Sequence, residues 1–294
     1  MFASFDRLKK NSVKIVPYLF IAPNIALFVT FMIIPILFTF YISLFNWSIL
    51  GTPEFAGLSN YRKLFSDSVF FKALGNTLYY TVGSVSISVV LGLAGAILLN
   101  RKIPLRPFFR GVFFAPVVVS LVATGLIWSW MFNGTYGLIN HVLSLLGLQG
   151  VNWLSSPVWA MPALIMTTVW FKTGYCMVIY LASLQNIPPS LYEAGEMDGA
   201  NGWQRFWHIT LPMLRPTTVF VLVISVINGF MVFDLIYTMT NGGPGRATTV
   251  LVQYIYQKSF VESEMGYGSA LGTFFFFVVL ALTSLILFTG REQR

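Results

Sequence analysis

Six long apolar stretches constrain the fold of this 294-residue chain more than any other feature of its sequence. Each holds about 20 or more predominantly apolar residues, enough for a helix to cross a bilayer core of about 30 Å. They are too long and too evenly apolar to be the alternating strands of a membrane barrel. The sequence therefore predicts an all-α, polytopic membrane protein with six transmembrane helices, at 18–45, 73–99, 111–132, 158–184, 217–239 and 267–289.

The composition excludes several other classes of protein. Only 10% of the residues are charged, whereas a soluble domain carries about 25%. The net charge of +8 is not gathered into a basic patch with interleaved aromatic residues, so we expect no binding of nucleic acid. Cys176 is the single cysteine, and the two histidines, His141 and His208, lie far apart. The sequence therefore predicts no disulfide, no metal site and no bound cofactor.

The lysines and arginines predict the orientation of the chain, because cytoplasmic loops carry an excess of both. With the N-terminus inside, twelve of them fall on the cytoplasmic side and five on the outer side, while Lys172 lies within a span. Both termini are then cytoplasmic, as a segment 1–17 and a tail 290–294, on either side of a transmembrane domain 18–289. The first apolar stretch is too long for a signal peptide, so we interpret it as an uncleaved span, kinked at Pro35.

The inner loop between the fourth and fifth stretches has the pattern of a helical hairpin. Ser190 and Glu193 have the spacing of a capping box, which predicts a short helix over 191–198. Gly199 can adopt the left-handed conformation that ends such a helix. A second helical turn is predicted over 203–208.

This loop resembles a known docking element. Glu193-Ala194-Gly195-Glu196-Met197-Asp198-Gly199, followed after nine residues by Ile209-Thr210-Leu211-Pro212, resembles the loop by which permease subunits of bacterial ATP-binding-cassette importers dock onto their ATPases. The resemblance assigns the docking to the loop 188–215, and in it to Glu193, Ala194, Gly195, Asp198 and Gly199. Gly195 departs from the usual second alanine, so we expect a looser docking helix.

Two further segments resemble permeases of the maltose and glycerol-phosphate importer group. They are Leu181-Ala182-Ser183-Leu184-Gln185-Asn186-Ile187-Pro188 and Thr238-Met239-Thr240-Asn241-Gly242-Gly243-Pro244-Gly245. The resemblance implies the type I importer permease fold, located in the bacterial cytoplasmic (inner) membrane. It also implies three kinds of partner: a homologous second permease that forms a heterodimer with this chain, two ATPase subunits, and an extracytoplasmic solute-binding protein.

Polar residues inside spans are functional candidates, because they are costly in lipid. The resemblance places the substrate path on the fourth and fifth spans, at Phe171, Lys172, Tyr175, Ser225, Asn228, Gly229 and Val232. For Ser225 and Gly229, close packing of helices is the alternative. Asp234 follows Asn228 by six residues, about 240° further around a helix, so we expect it to face a different neighbour in a packing or subunit-interface role.

Lys172 carries a positive charge that the binding of a neutral sugar does not require. It lies about 18 Å along the helix from Leu184, near the middle of the membrane. It would either pair with an acid of the partner permease or bind a carboxylate or phosphate of the solute. The first alternative favours a neutral solute and the second an anionic one.

The function predicted by these features is that of a translocation subunit in an ATP-driven, binding-protein-dependent importer of sugars or oligosaccharides. The chain itself is not predicted to be an enzyme: no glycine precedes any of its lysines, so the Gly-x-x-x-x-Gly-Lys phosphate loop is absent, and ATP and Mg²⁺ would belong to the partner ATPases. The alternatives are the same importer type for an acidic oligosaccharide or glycerol phosphate, an ion-coupled secondary transporter, and an intramembrane enzyme. The last lacks converging catalytic residues.

The predicted orientation can be tested with a reporter that is active only in the cytoplasm. Fused after Arg294 or inserted near Asn201, the reporter should be active, and inserted near Gly243 it should be silent. Activity at Gly243 would contradict the six-span assignment.

Overall fold

The structure is a computed structural model that describes residues 18–101 and 104–291. The predicted N-terminal segment 1–17 and residues 292–294 of the predicted tail lie outside the described residues. The chain divides into two compact units. Unit 1 comprises the described residues up to Ser66 together with Gln257–Phe274, and unit 2 comprises Asp67–Tyr256 with the residues from Phe275 onwards.

Unit 1 begins with helix α1, Tyr18–Ile42, most of whose apolar side chains are exposed. A π-helical turn, Val29–Ile33, occupies the position just before Pro35. Because proline has no N–H group to donate, the regular hydrogen-bond ladder is interrupted there, close to the predicted kink. The unit continues with a small antiparallel hairpin of β1, Phe45–Asn46, and β2, Glu54–Phe55, and with helix α2, Ser59–Ser66.

Unit 2 is built on two long helices, α3 at Ser68–Asn100 and α7 at Ala160–Gln185. The Asp67 side chain starts α3 by accepting hydrogen bonds from the backbone N–H groups of Val69 and Phe70. The two helices approach closely at small residues: a Cβ on Gly92 would lie 2.5 Å from the Cβ of Cys176. Small residues at such a contact let the backbones of two membrane helices approach closely and gain dispersion energy. This matters because lipid supplies no hydrophobic driving force between the helices.

The predicted third span, 111–132, is wrong as one continuous helix. It consists of α4, Arg106–Val118, and α5, Leu121–Met131, which meet at an angle of 100°. Pro116 lies in the last turn of α4, where its ring removes a backbone hydrogen bond, and Val119 is extended. An evenly apolar composition does not reveal such a break. A short helix α6, Leu138–Leu145, follows α5.

The predicted fifth span, 217–239, also differs from the structure. Its helix α10 runs over Arg215–Phe230, and a separate short helix α11 covers Asp234–Met239. Helix α10 is preceded by α8, Pro189–Met197, and by α9, Gly202–Met213, which is longer than the predicted turn and joins α10 at 63°.

The chain ends with α12 and α13. Helix α12, Leu251–Tyr256, is followed by a π-helical turn, Gln257–Val261, and α13 covers Met265–Arg291. Four described helices are long and apolar enough to cross a membrane, and the two bent pairs, α4–α5 and α9–α10, bring the number to six if each pair is one span.

Gly174 sets the distance between α4 and α7. A Cβ at this position would lie 1.8 Å from the carbonyl oxygen of Phe113 and 3.1 Å from the Cα of Phe114. Both atoms belong to the α4 backbone, which cannot yield as a side chain would. Any larger residue must therefore push the two helices apart.

We predict that Gly174→Ala destabilises the protein by about 1–3 kcal/mol, because overpacking forces the backbone to shift. Gly111→Ala is the matched control: a Cβ on Gly111 meets nothing within 4 Å, so this change should leave the stability unchanged or raise it by about 0.5–1 kcal/mol. The midpoint of thermal unfolding of the detergent-solubilised protein measures both effects. Equal midpoints for the two variants would contradict the described packing.

Candidate functional site

A cavity of about 420 Å³ lies in unit 2 where the interrupted helices meet. Val117 and Leu121, on either side of the break between α4 and α5, line one part of it. Met231, Val232 and Phe233, which separate α10 from α11, line another part. Both breaks in the apolar helices thus open onto the same space.

The break between α10 and α11 keeps part of its backbone hydrogen bonding. The N–H of Met231 donates to the carbonyl of Ile227 at 3.0 Å, and that of Val232 donates to Gly229 at 3.4 Å. Irregular backbone at membrane depth is tolerated only where protein or a water-filled cavity satisfies the freed groups. Met231 and Val232 meet this requirement because they line a cavity.

The structure brings together six of the seven residues that the sequence assigned to the substrate path. These six residues line the cavity: Phe171, Lys172, Tyr175, Ser225, Asn228 and Val232. Gly229 is not among the lining residues. Its missing Cβ would lie 2.8 Å from Cγ2 of Thr81 on α3, which is the close helix packing named as its alternative.

Asp234 lies at the same cavity as Asn228, so the expectation that it faces a different neighbour is wrong. That expectation extended one regular helix through residue 239. The helix ends at Phe230, and the three residues that follow redirect the chain before Asp234 begins α11. A residue six positions along a broken helix has no fixed angular relation to its predecessor.

Lys172 and Asp234 give the cavity one cation and one anion. Among the salt bridges formed within the described part of the chain, none includes either residue. The charges are accompanied by the polar groups of Ser225 and Asn228 and by the rings of Phe171, Tyr175 and Phe233. Charged and amide groups can bind hydroxyl groups, and rings can stack on the apolar face of a sugar.

Tyr80 and Thr168 also line the cavity, although the sequence reasoning did not select them. The Tyr80 hydroxyl and Thr168 Oγ1 share a buried hydrogen bond of 2.7 Å between α3 and α7. A signal for Tyr80 was present, since polar residues recur every four positions along α3 at Asn76, Tyr80, Ser84 and Ser88. Thr168 carried no comparable signal.

The hairpin of α8 and α9 begins differently from the prediction. The capping box of Ser190 and Glu193 is wrong: α8 starts at Pro189, and no side chain caps it. Proline is favoured in the first helical turn because its φ is already helical and its missing N–H would be unbonded there. A capping box is formed by Asn201 and Gln204 at the start of α9, with reciprocal hydrogen bonds of 2.9 and 2.8 Å.

The end of α8 agrees with the prediction for Gly199, whose φ of +76° is left-handed. The N–H of Ala200 donates to the carbonyl of Gly195 at 2.8 Å, and that of Gly199 donates to Glu196 at 3.0 Å. These two bonds form a Schellman motif, which satisfies carbonyls that the helix end leaves free.

Gly195 has a packing role between α8 and α9. A Cβ at this position would lie 3.0 Å from Cδ1 of Ile209, so the glycine lets the two helices approach. Glu196 pairs with Arg205, and the Tyr192 hydroxyl hydrogen-bonds Thr210 at 3.0 Å. These contacts pack α8 against α9, and the looser docking helix expected from a glycine stays a prediction. The remaining predicted docking residues, Glu193, Ala194, Asp198 and Gly199, are exposed on it.

Comparison with known proteins identifies relatives over nearly the whole chain. Residues 88–294 match the family described as binding-protein-dependent transport system inner membrane component. The trehalose/maltose transport system permease protein MalF of Thermococcus litoralis is 37% identical over 98% of each chain. The arabinooligosaccharides transport system permease protein AraP of Bacillus subtilis is 38% identical over 92% of this chain and 87% of its own.

A solved structure shares the fold. The bacterial alginate ABC transporter, crystallised in complex with an alginate pentasaccharide-bound periplasmic protein, contains a chain with a TM-score of 0.86 and 26% sequence identity. The similarity covers 97% of this chain and 98% of that one.

Proposed function

Because this chain belongs to the binding-protein-dependent transport system inner membrane components, a family of multi-pass permease subunits, we propose that its cavity is the passage for a sugar or oligosaccharide during ATP-driven import. The observation that carries this proposal is the convergence of two helix breaks on a cavity lined by charged, amide and aromatic side chains. Broken helices at membrane depth are typical of transporter binding sites, because unwound backbone is retained only where it serves a polar passage.

A neutral solute fits the cavity best. Lys172 and Asp234 give the described lining a balanced charge, so a solute with no net charge leaves no ion unmatched. Hydroxyl groups can accept from the ammonium and donate to the carboxylate at the same time. The trehalose/maltose and arabinooligosaccharide permeases among the relatives support this choice by their names.

An anionic solute is the second candidate, supported by a separate observation. Lys172 forms none of the salt bridges found within the described residues, so its charge is available for a carboxylate of the solute. The alginate transporter, whose chain has a similar fold, imports an acidic polysaccharide. In that case the carboxylate of Asp234 would lie away from the carboxylate of the bound solute.

Two substitutions separate these candidates. For a neutral oligosaccharide, Lys172→Met and Asp234→Asn should each raise the half-saturating concentration for uptake roughly tenfold or more, since a hydrogen bond to a charged group is worth about 1.5–3 kcal/mol. For an acidic solute, Lys172→Met alone should abolish uptake, and Asp234→Asn should preserve or improve it. Lys72→Met, at an exposed position of α3 outside the cavity, is the control. Normal uptake by both cavity variants would contradict the proposed passage.

The exposed surface of the α8–α9 hairpin is proposed to dock an ATPase subunit. This proposal rests on the resemblance of the loop and on the exposure of Glu193, Ala194, Asp198 and Gly199. The Schellman end and the Gly195 contact support it, because they give the hairpin one fixed shape for a partner to recognise. ATP and Mg²⁺ would then be bound by two ATPases, and a second permease and an extracytoplasmic solute-binding protein would complete the importer.

We predict that Glu193→Ala combined with Gly199→Val weakens ATPase docking. The first change removes an exposed charge, and the second places a β-branched residue at a φ of +76°, which is strained. Co-purification of the ATPase and solute-stimulated ATP hydrolysis should both fall, while membrane insertion is retained. Lys72→Met, at an exposed position of α3 outside the hairpin, controls for the loss of a surface charge. Full co-purification and normal uptake with the double variant would refute the docking role.

A further inference from the structure

Arg106 and Arg110 lie one turn apart at the start of α4 and converge on the end of α7. With its amide oxygen turned toward them, Gln185 accepts a hydrogen bond from Nη2 of each arginine, both at 2.8 Å. Two guanidinium groups therefore meet at one neutral oxygen. Both side chains remain partly exposed, so a ligand can reach them.

The positive charges of this pair are not compensated by the described part of the chain. The Nε atoms of Arg106 and Arg110 are buried without a hydrogen-bond partner, and neither arginine is in a salt bridge there. The sequence contains no Asp or Glu between Asp67 and Glu193. Adjacent guanidinium groups repel each other unless an anion joins them, and their planar donor forks match phosphate oxygens.

The surroundings of the pair are those of a membrane interface. Leu105, Phe108 and Phe109, next to the arginines in the chain, expose large apolar surfaces. The pair lies at the end of α7 that leads into the α8–α9 hairpin, on the side that the charge distribution predicts to be cytoplasmic. The cytoplasmic leaflet is rich in anionic phospholipids, and basic pockets between membrane helices on this side bind their head groups.

We propose that Arg106 and Arg110 bind the phosphate of an anionic phospholipid from the cytoplasmic leaflet, with Gln185 holding the two guanidinium groups together. The lipid phosphate supplies the missing negative charge, and its acyl chains lie along the exposed apolar side chains of α4. This site rests on the predicted orientation of the chain. It is independent of the solute that passes through the cavity.

Native mass spectrometry of the assembled importer, titrated with phosphatidylglycerol and with phosphatidylethanolamine, tests the proposal. Wild type should retain phosphatidylglycerol in preference, and Arg106→Gln with Arg110→Gln should weaken that retention by about tenfold or more, because charge-assisted hydrogen bonds are lost. Arg101→Gln removes an exposed positive charge from the end of α3 and should leave retention unchanged. Equal retention by wild type and the double variant overturns the proposal.

A second variant keeps both arginines and so separates lipid binding from misfolding. Gln185→Glu places a carboxylate where the phosphate would act, so it should abolish the preference for phosphatidylglycerol while the importer assembles and unfolds at an equal or higher temperature. Asn100→Asp adds a carboxylate at the end of α3, outside these contacts, and should preserve the preference.

Three other results would overturn the lipid assignment. Unchanged preference in Gln185→Glu would show that the pair does not bind the lipid phosphate. Displacement of the lipid by millimolar inorganic phosphate would indicate a site for a free anion. Loss of a partner subunit from the double arginine variant, with lipid retention intact, would indicate that a partner's acid occupies the site.

Discussion

The need to bond every backbone N–H and C=O group inside the membrane governs this structure. Helices meet the need without help, so the apolar stretches fold as helices, and an interruption is tolerated only where protein or a polar cavity replaces the lost bonds. Among the interruptions in the described residues, the one between α4 and α5 and the one between α10 and α11 both line one cavity. Where the ladder breaks, the backbone lines the cavity that we propose as the passage for the solute.

The same cavity explains why two ionisable residues persist in apolar helices. A lysine near the middle of a membrane costs on the order of 3 kcal/mol on insertion scales. Lys172 and Asp234 both line the cavity, where water or a solute can lower that cost. Around them, the small residues Gly92, Gly174 and Gly229 bring the helices close enough to hold the walls in place. Close packing therefore holds the helices together, and the polar cavity is a local gap in that packing.

The sequence predicted the helical class, the approximate positions of the long helices, the left-handed Gly199 and six of the residues that line the cavity, because hydropathy, turn chemistry and family motifs are local signals. The prediction failed where contacts between distant parts of the chain determine the position of a residue. Asp234 was misplaced because helical periodicity holds only while the helix continues. Ser190 lost its capping role because the helix starts at Pro189, two residues before its predicted start. Pro116 was a usable signal for the break after α4. Nothing local indicated that Thr168 would meet Tyr80.

Solute protection of a cysteine in the cavity tests the central claim most directly. Asn228→Cys, in a chain whose buried Cys176 is replaced by alanine, should react with a small polar thiol reagent in the assembled importer, because Asn228 is exposed at the cavity. The reaction should slow when the solute-loaded binding protein and ATP are added. Arg101→Cys, exposed at the end of α3 outside both the cavity and the hairpin, should react at the same rate in both conditions. Unprotected labelling at position 228 during active uptake would contradict the claim that the solute passes through this cavity.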